Sequence, residues 1–312
     1  MTRREFTFPS ADGKTPIHAV EWLPDGEIRA VVQISHGVSE FILRYEPFAE
    51  YLNAHGFAVV GHDHIGHGDS LAPGAPRMYF GPKGSWVWVT EDLEQRRKLA
   101  KERYPDAPYF LLGHSMGSFL ARTHLIRHPG AVDGAIIMGT GHMAGLLVAG
   151  GRLIAAAESL RLGEKNSAPI INTLSFNTYN KIFAPNRTAF DWLSVNEENV
   201  DWYINHPLCG GNPSLGLFRE MLGGIAFMKK PSNTAKMAKS TPILFISGAM
   251  DPVGDCSKGV KLAYESFRKA GMRDVSLKLY PGLRHEILCE INREEVFNDI
   301  LVWLESKLPV TL

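Results

Sequence analysis

The stretch that most limits what this chain can fold into is residues 108–122, Pro-Tyr-Phe-Leu-Leu-Gly-His-Ser-Met-Gly-Ser-Phe-Leu-Ala-Arg. Tyr109 to Leu112 form a short apolar run of the kind that makes a buried strand. The run after Gly117, rich in Leu, Ala and Arg, suits a helix. Between them Gly113-x-Ser115-x-Gly117 predicts a sharp strand-to-helix turn with a serine at its apex. The glycines have a mechanical role: with the serine held in a strained backbone conformation, side chains two residues before and after it would make strand and helix collide. The same geometry sets Ser115 at a helix N-terminus, where free N–H groups favour developing negative charge.

Strand-like segments recur at 3–8, 16–23, 30–34, 57–61, 135–138, 243–247 and 275–280, and helical ones at 44–55, 88–103, 257–270 and 294–307. Strands alternating with helices predict an α/β fold, a mostly parallel central sheet with helices on both faces. The alternation stops between about 144 and 238, where helical periodicity, aromatics and prolines take over. The expected organisation is therefore a first core part, 1–143, an inserted and mainly helical cap, 144–238, and a second core part, 239–312. The most apolar stretch, Met143 to Leu162, carries Arg152, Glu158, Arg161 and a glycine pair, so it falls short of a membrane span. A helix packed on the rest of the protein is the expectation there, with a lid face in transient contact with a membrane surface as the alternative.

Composition narrows the function classes. Lys plus Arg and Asp plus Glu are 33 each, so nothing points to nucleic acid or a polybasic membrane anchor. The first residues lack the apolar stretch of a secretory signal. Cys209, Cys256 and Cys289 are odd in number and far apart, which suits free thiols in a reducing cytoplasm.

A serine hydroxyl becomes a useful nucleophile only when a base takes its proton and a third group orients the base. Asp251 follows the strand 243–247 and His285 follows the strand 275–280, both just past the carboxyl ends of strands, where open α/β sheets place their sites. Asp255 and Glu286 are competing carboxylates less well placed at a strand end, and Asp255 stays open as the acid. An oxyanion needs preorganised donors. The N–H of Met116, next to the serine, is one, and the loop after strand 30–34 offers that of Val38 as the second. The histidines of His62-Asp63-His64-Ile65-Gly66-His67 fit no common zinc spacing and read as a hydrogen-bonded turn, so no metal is expected. His114 reads as structural, and Asn186-Arg187-Thr188 is a glycosylation pattern without meaning unless the chain is secreted.

Together His36-Gly37-x-x-Glu40, Arg44-Tyr45, Asp63-His64-x-Gly66-His67-Gly68-x-Ser70, Gly113-His114-Ser115-Met116-Gly117 and Tyr280-Pro281-Gly282-x-x-His285 resemble the monoacylglycerol lipase and lysophospholipase branch of the α/β-hydrolases, grouped with the serine aminopeptidase-like hydrolases. That resemblance implies Ser115 as nucleophile, Asp251 as acid, His285 as base, Val38 and Met116 as oxyanion donors, and no cofactor. It implies hydrolysis of a small carboxylic ester through an acyl-enzyme, with a monoacylglycerol or lysophospholipid as substrate. A short-chain carboxylesterase, thioesterase or amidase is the alternative, and a non-catalytic ligand binder the remote one. Leu146, Leu147, Leu153, Ile154, Phe176, Tyr179, Phe183 and Trp192 would suit an acyl chain. The chain departs from the family's His-Gly-x-Gly-Glu-His: Ser39 and Phe41 replace the second glycine and the second histidine.

Overall fold

The computed structural model describes residues 1–169 and 176–309, with only the backbone described at 176 and 177. Eight strands form one sheet in the order β1-β2-β4-β3-β5-β6-β7-β8. They are β1 Thr2–Pro9, β2 Pro16–Leu23, β3 Ala30–Ser35, β4 Phe57–His62, β5 Tyr109–His114, β6 Gly134–Met138, β7 Ile243–Gly248 and β8 Val275–Tyr280. The first two pair antiparallel with each other, and β2 runs antiparallel to β4. From β4 across to β8 every pairing is parallel. This is the fold class expected.

The central strands are apolar at nearly every position because both sheet faces are covered. Side chains alternate between two layers: Val31, Leu111, Ile137 and Phe245 enter one core, and Val32, Leu112, Ile136 and Leu244 the other. The first layer is closed by α2 (Ser85–Arg103), α3 (Met116–Arg127) and a later helix, Lys258–Lys269, through Leu93, Leu120 and Phe267. The second is closed by α1 (Glu46–Ala54) and the last helix, Arg293–Glu305, through Phe48, Leu52, Phe297 and Leu304. The edge strand β1 opens with Arg3, Arg4 and Glu5, exposed charges that discourage pairing with another chain.

Between β6 and β7 the described residues are helical and irregular. The main helices are α4 (Gly145–Leu162), α5 (Glu197–Asn205) and α6 (Leu215–Met228). Small residues let these helices approach closely: a Cβ on Gly151 would lie 2.9 Å from Leu222, and one on Gly224 would collide with the Trp86 indole of α2. Continuing the numbering, α7 is Lys258–Lys269 and α8 is Arg293–Glu305. The expected start of α7 at 257 is displaced because Asp255, Cys256 and Ser257 all have positive φ (48°, 45° and 79°), a left-handed turn that no α-helix continues.

Candidate active site

The turn after β5 is a strand-to-helix elbow. Ser115 sits at φ 52° and ψ −119°, a conformation that costs a non-glycine residue on the order of 1–3 kcal/mol. It is held there by its own N–H, which donates to Met138 O at 3.0 Å, and by Ser118, whose N–H and Oγ both donate to Ser115 O (2.9 and 2.5 Å). The flanking glycines are sterically required. A Cβ on Gly117 would collide with the Ser35 carbonyl at the end of β3, and one on Gly113 with the Gly117 carbonyl.

His285 and Asp251 come from the loops after β8 and β7, and His285 Nδ1 lies 2.9 Å from Asp251 Oδ2. Asp251 is wholly buried and also accepts from the Val253 N–H (2.9 Å) and the Ser247 hydroxyl (3.2 Å). A carboxylate fixed by these donors selects the imidazole tautomer with its proton on Nδ1, leaving Nε2 as the basic atom. The ring packs between Trp192 (centroids 5.1 Å apart) and His114 (4.8 Å). Ser115 and His285 line one cavity, together with Val38 and Met116. Among the described residues, neither the Val38 nor the Met116 N–H has a protein acceptor. A Cβ on Gly37 would lie 3.2 Å from Ser115 Cβ, so the β3 loop closes directly over the serine. Of the two competing carboxylates, Asp255 is exposed on the left-handed turn and Glu286 is taken up by Arg44.

A buried polar network beside His285 is not assigned by the sequence reading. Glu40 Oε1 accepts from the Gly37 N–H (2.5 Å) and the Tyr45 hydroxyl (3.0 Å) and lies 3.1 Å from His114 Nδ1. Arg44 donates from Nη1 to Glu40 Oε2 (2.8 Å) and embraces Glu286 with Nη1 and Nη2 (2.8 and 2.9 Å), while Asn199 of α5 donates to Glu286 Oε2 (2.7 Å). Burial opposes the charge on Glu286, but Arg44 overrides it and holds the carboxyl below its usual range. Burial likewise opposes ionisation of Glu40, and His114 and Arg44 together outweigh it. His114, resisted by burial but paired with Glu40, titrates above its ordinary value, and its Nε2 lies 3.3 Å from the His285 carbonyl oxygen. His285 is thus gripped at its own backbone and at the next residue. The Arg44-Tyr45 pair, four and five residues after Glu40, was the available signal, but Asn199 and Glu286 lie far along the chain.

The histidine-rich turn is hydrogen-bonded through its backbone, His67 N to His64 O and Ser70 N to His67 O (2.9 Å each). Its His64 and His67 rings pack at a tilt against His36 (centroids 4.2 and 5.4 Å apart), and burial pushes His62 and His67 down to about 3. The donor atoms that approach one another closely enough for an ion, among the described residues, are those of His18, Asp63 and Asp69. Asp63 is already occupied there, by His18 Nδ1 (2.8 Å) and the N–H groups of Ile42 (2.8 Å) and Asp69 (3.0 Å).

The far wall of the cavity is apolar: Phe119 of α3, Met143, and Phe218, Leu222 and Ile225 of α6. Tyr179 and Trp192 line it as well, but Leu146, Leu147 and Leu153 do not; they face solvent on α4, with Leu160 beside them at 92% exposure. The expectation that these leucines suit an acyl chain is corrected by this placement: the close α4–α6 crossing buries the small residues Val148 and Ala155 instead. The side chain of Phe176 lies outside the described residues.

Comparison with known proteins adds independent findings. The profile of the family described as Serine aminopeptidase, S33 matches residues 26–292. The chain is 30% identical over 285 residues to a monoglyceride lipase of Mus musculus, covering 90% of this chain and 82% of that one. It is 29% identical over 308 residues to a monoacylglycerol lipase of Mycolicibacterium smegmatis, covering 98% and 99%. Among solved structures, a thermostable carboxyl esterase from Bacillus coagulans in complex with glycerol superposes with a TM-score of 0.91 at 28% identity, covering 99% of this chain and all of that one.

Proposed function

The chain belongs to the serine aminopeptidase family and is an ester hydrolase of the α/β-hydrolase fold, and from that premise we propose that it cleaves monoacylglycerol-type esters at Ser115. His285 Nε2 takes the Ser115 proton as the hydroxyl attacks the ester carbonyl, and the negative charge that develops on the carbonyl oxygen is received by the N–H groups of Val38 and Met116. Collapse expels the alcohol with a proton from His285. Water then attacks the acyl-enzyme by the same route, releasing the carboxylic acid. Asp251 stays ionised and steadies the imidazolium. The observation that carries this reading is the Asp251–His285 contact of 2.9 Å within loops that open on the same cavity as the strained Ser115.

Residues 144–238 act as a cap over this site in our reading, supplying Phe218, Leu222 and Ile225 as the acyl wall. The exposed Leu146, Leu153 and Leu160 recur every seven residues along one line of α4, which supports transient docking of the cap on a lipid surface. No helix among the described residues is long and apolar enough to cross a membrane. Three free cysteines support work in a reducing compartment, the cytoplasm.

The test is hydrolysis of p-nitrophenyl esters from acetate to palmitate beside 1-monooleoylglycerol and a lysophosphatidylcholine, with Ser115→Ala in parallel. Rates that peak at long acyl chains, cleavage of monooleoylglycerol, and at least a thousandfold loss in Ser115→Ala are expected. A preference for acetate with both lipids inert overturns the lipid substrate. Full activity in Ser115→Ala overturns the mechanism.

A further inference from the structure

Among the described residues, deeply buried arginines come with carboxylates, with one exception. Arg44 holds Glu40 and Glu286, and Arg96 lies 3.0 Å from Glu21. Arg122, on α3 and only 1% exposed, forms no ion pair with any carboxylate among the described residues. Its Nη1 donates to Thr140 Oγ1 (3.3 Å) and to the Gly141 carbonyl (3.0 Å), and its Nε is buried without a partner. Two further basic side chains stand nearby, Lys229 as a cation and His142 as a neutral imidazole. Lys229, just after α6, donates from Nζ to the Met143 carbonyl and has no carboxylate partner among the described residues either. His142, half-buried, has an Nδ1 that is buried and unpaired.

These groups raise one another's cost. Burial lowers Arg122 to about 10 and, aided by repulsion from Lys229 and Arg122, lowers His142 to about 4. Lys229 is lowered by burial and by Arg122. A chain does not retain a buried arginine with an unpaired Nε beside a part-buried lysine that repels it at no cost. An anion would remove both the repulsion and the unpaired donors.

We propose that Arg122, His142 and Lys229 form a binding site for an oxyanion, a carboxylate or a phosphate, at the root of the inserted segment. The site bridges the two ends of that segment: Thr140 to Met143 lead out of β6, and Lys229 follows its last long helix. It also adjoins the apolar end of the substrate cavity, because Met143 and Phe119, one turn before Arg122, line that cavity. The ligand is thus either a free anion that fixes the segment's base or the charged distal end of an acyl chain. The second source rests on the ester-hydrolase reading above.

The experiment uses the full chain as wild type, Lys229→Met and Arg122→Met. Thermal melting is followed with inorganic phosphate against chloride at matched ionic strength. In parallel, kcat/KM is measured for p-nitrophenyl octanoate and for the mono-p-nitrophenyl ester of the eight-carbon dicarboxylic acid. Wild type should melt about 3–4 °C higher at phosphate twentyfold above its Kd, and Lys229→Met should lose that shift. Arg122→Met should melt at or above wild type without phosphate, since an uncompensated charge has gone. A tenfold preference for the carboxylate-ended ester, abolished in Lys229→Met, assigns the anion to the substrate. A phosphate shift without that preference assigns it to a free ion. Absence of both overturns the site, and so does an Arg122→Met variant that loses stability while wild type ignores phosphate, the behaviour of a mere clamp on Thr140 and Gly141. If no variant cleaves the neutral ester, the ester-hydrolase reading fails while the phosphate arm still reads the site.

Discussion

Replacing Arg44 by methionine removes the cation that bridges two buried carboxylates. In the native protein Arg44 makes three contacts of 2.8–2.9 Å to Glu40 and Glu286, and its guanidinium lies over the rings of Trp202 and Tyr203 at 5.4 and 5.1 Å. Methionine keeps most of the volume, so little cavity is opened and the loss is electrostatic. Breaking one side of a buried ion pair costs about 3–5 kcal/mol, because the surviving charge stays buried and unpaired. Here Glu286 loses its cation while Glu40 keeps His114 at 3.1 Å, which places the loss within that range. At about 2 °C per kcal/mol for a chain of this length, melting should fall by roughly 6–10 °C at pH 7.5. The pH dependence fixes the cause. Arg44 holds Glu286 below its usual range, so the stability it contributes is present above the unfolded value near 4.5 and is lost as pH falls through the lower folded value. In the variant the carboxyls take up protons more readily, so the gap to wild type should narrow as pH falls toward 4.5. Because Glu286 follows His285, kcat for a short neutral ester should also fall, with KM changed less. Denaturant titrations at pH 7.5 and 5, with ester kinetics at pH 7.5, read all three effects. A loss below about 1 kcal/mol, or a gap that does not depend on pH, refutes the argument.

Gly117→Ala drives a Cβ into the Ser35 backbone and should leave the chain without soluble folded protein, read by expression and circular dichroism; a folded, active variant contradicts the elbow geometry. Asp92 is pushed up to about 7 by burial despite donors from Ser10 Oγ (2.9 Å) and the Ala11 N–H (2.7 Å). The folded state therefore keeps its proton longer than the unfolded chain, and stability should fall between pH 4 and 7 by up to about 4 kcal/mol through this group. In Asp92→Asn that slope should be missing from denaturant titrations across the same range, and an unchanged slope refutes the assignment. Exchanging Leu146, Leu153 and Leu160 for serine should cut vesicle co-sedimentation severalfold while p-nitrophenyl butyrate turnover stays within twofold; equal binding removes the docking role of α4.

The parallel sheet and the elbow were legible because their causes are local. A strand buried on both faces must be an unbroken apolar run, as in Phe110-Leu111-Leu112 or Ala135-Ile136-Ile137, and the elbow requires glycine at two fixed offsets. Asp251 and His285 were legible as the polar residues that end such runs. The inserted segment resists the same reading because α4 is apolar around most of its circumference. Leu146, Leu153 and Leu160 form one line and Val148 and Ala155 another, and periodicity cannot rank them. The choice was made by α6, whose Leu222 crosses so near Gly151 that only the small residues fit between the helices. Large leucines were thus left outside for a reason residing in another helix.

The Arg44 network follows the same logic at the scale of the whole site. Its members stand at positions 40, 44, 45, 114, 199 and 286, on the loops after β3 and β8, on the elbow and on α5. Only the first three are neighbours in sequence. Asn199, Trp202 and Tyr203 belong to the inserted segment, whereas Glu40 and Glu286 belong to the core, so Arg44 is where the two are tied together. The Tyr203 hydroxyl donates to the Ser39 carbonyl at 3.0 Å, and the Leu193 carbonyl accepts the Glu286 N–H at 2.7 Å, which adds backbone contacts to the same junction. Phe41 stacks on His206 at 4.7 Å, so one of the two residues that depart from the family pattern also packs against the insert. The position of α5 and the position of His285 are therefore set by shared contacts. Any motion of the inserted segment that admits substrate has either to carry the Arg44 junction with it or to hinge on its far side, nearer Thr140 and Lys229. The second route leaves His285 undisturbed and puts the moving joint where Arg122 and Lys229 stand.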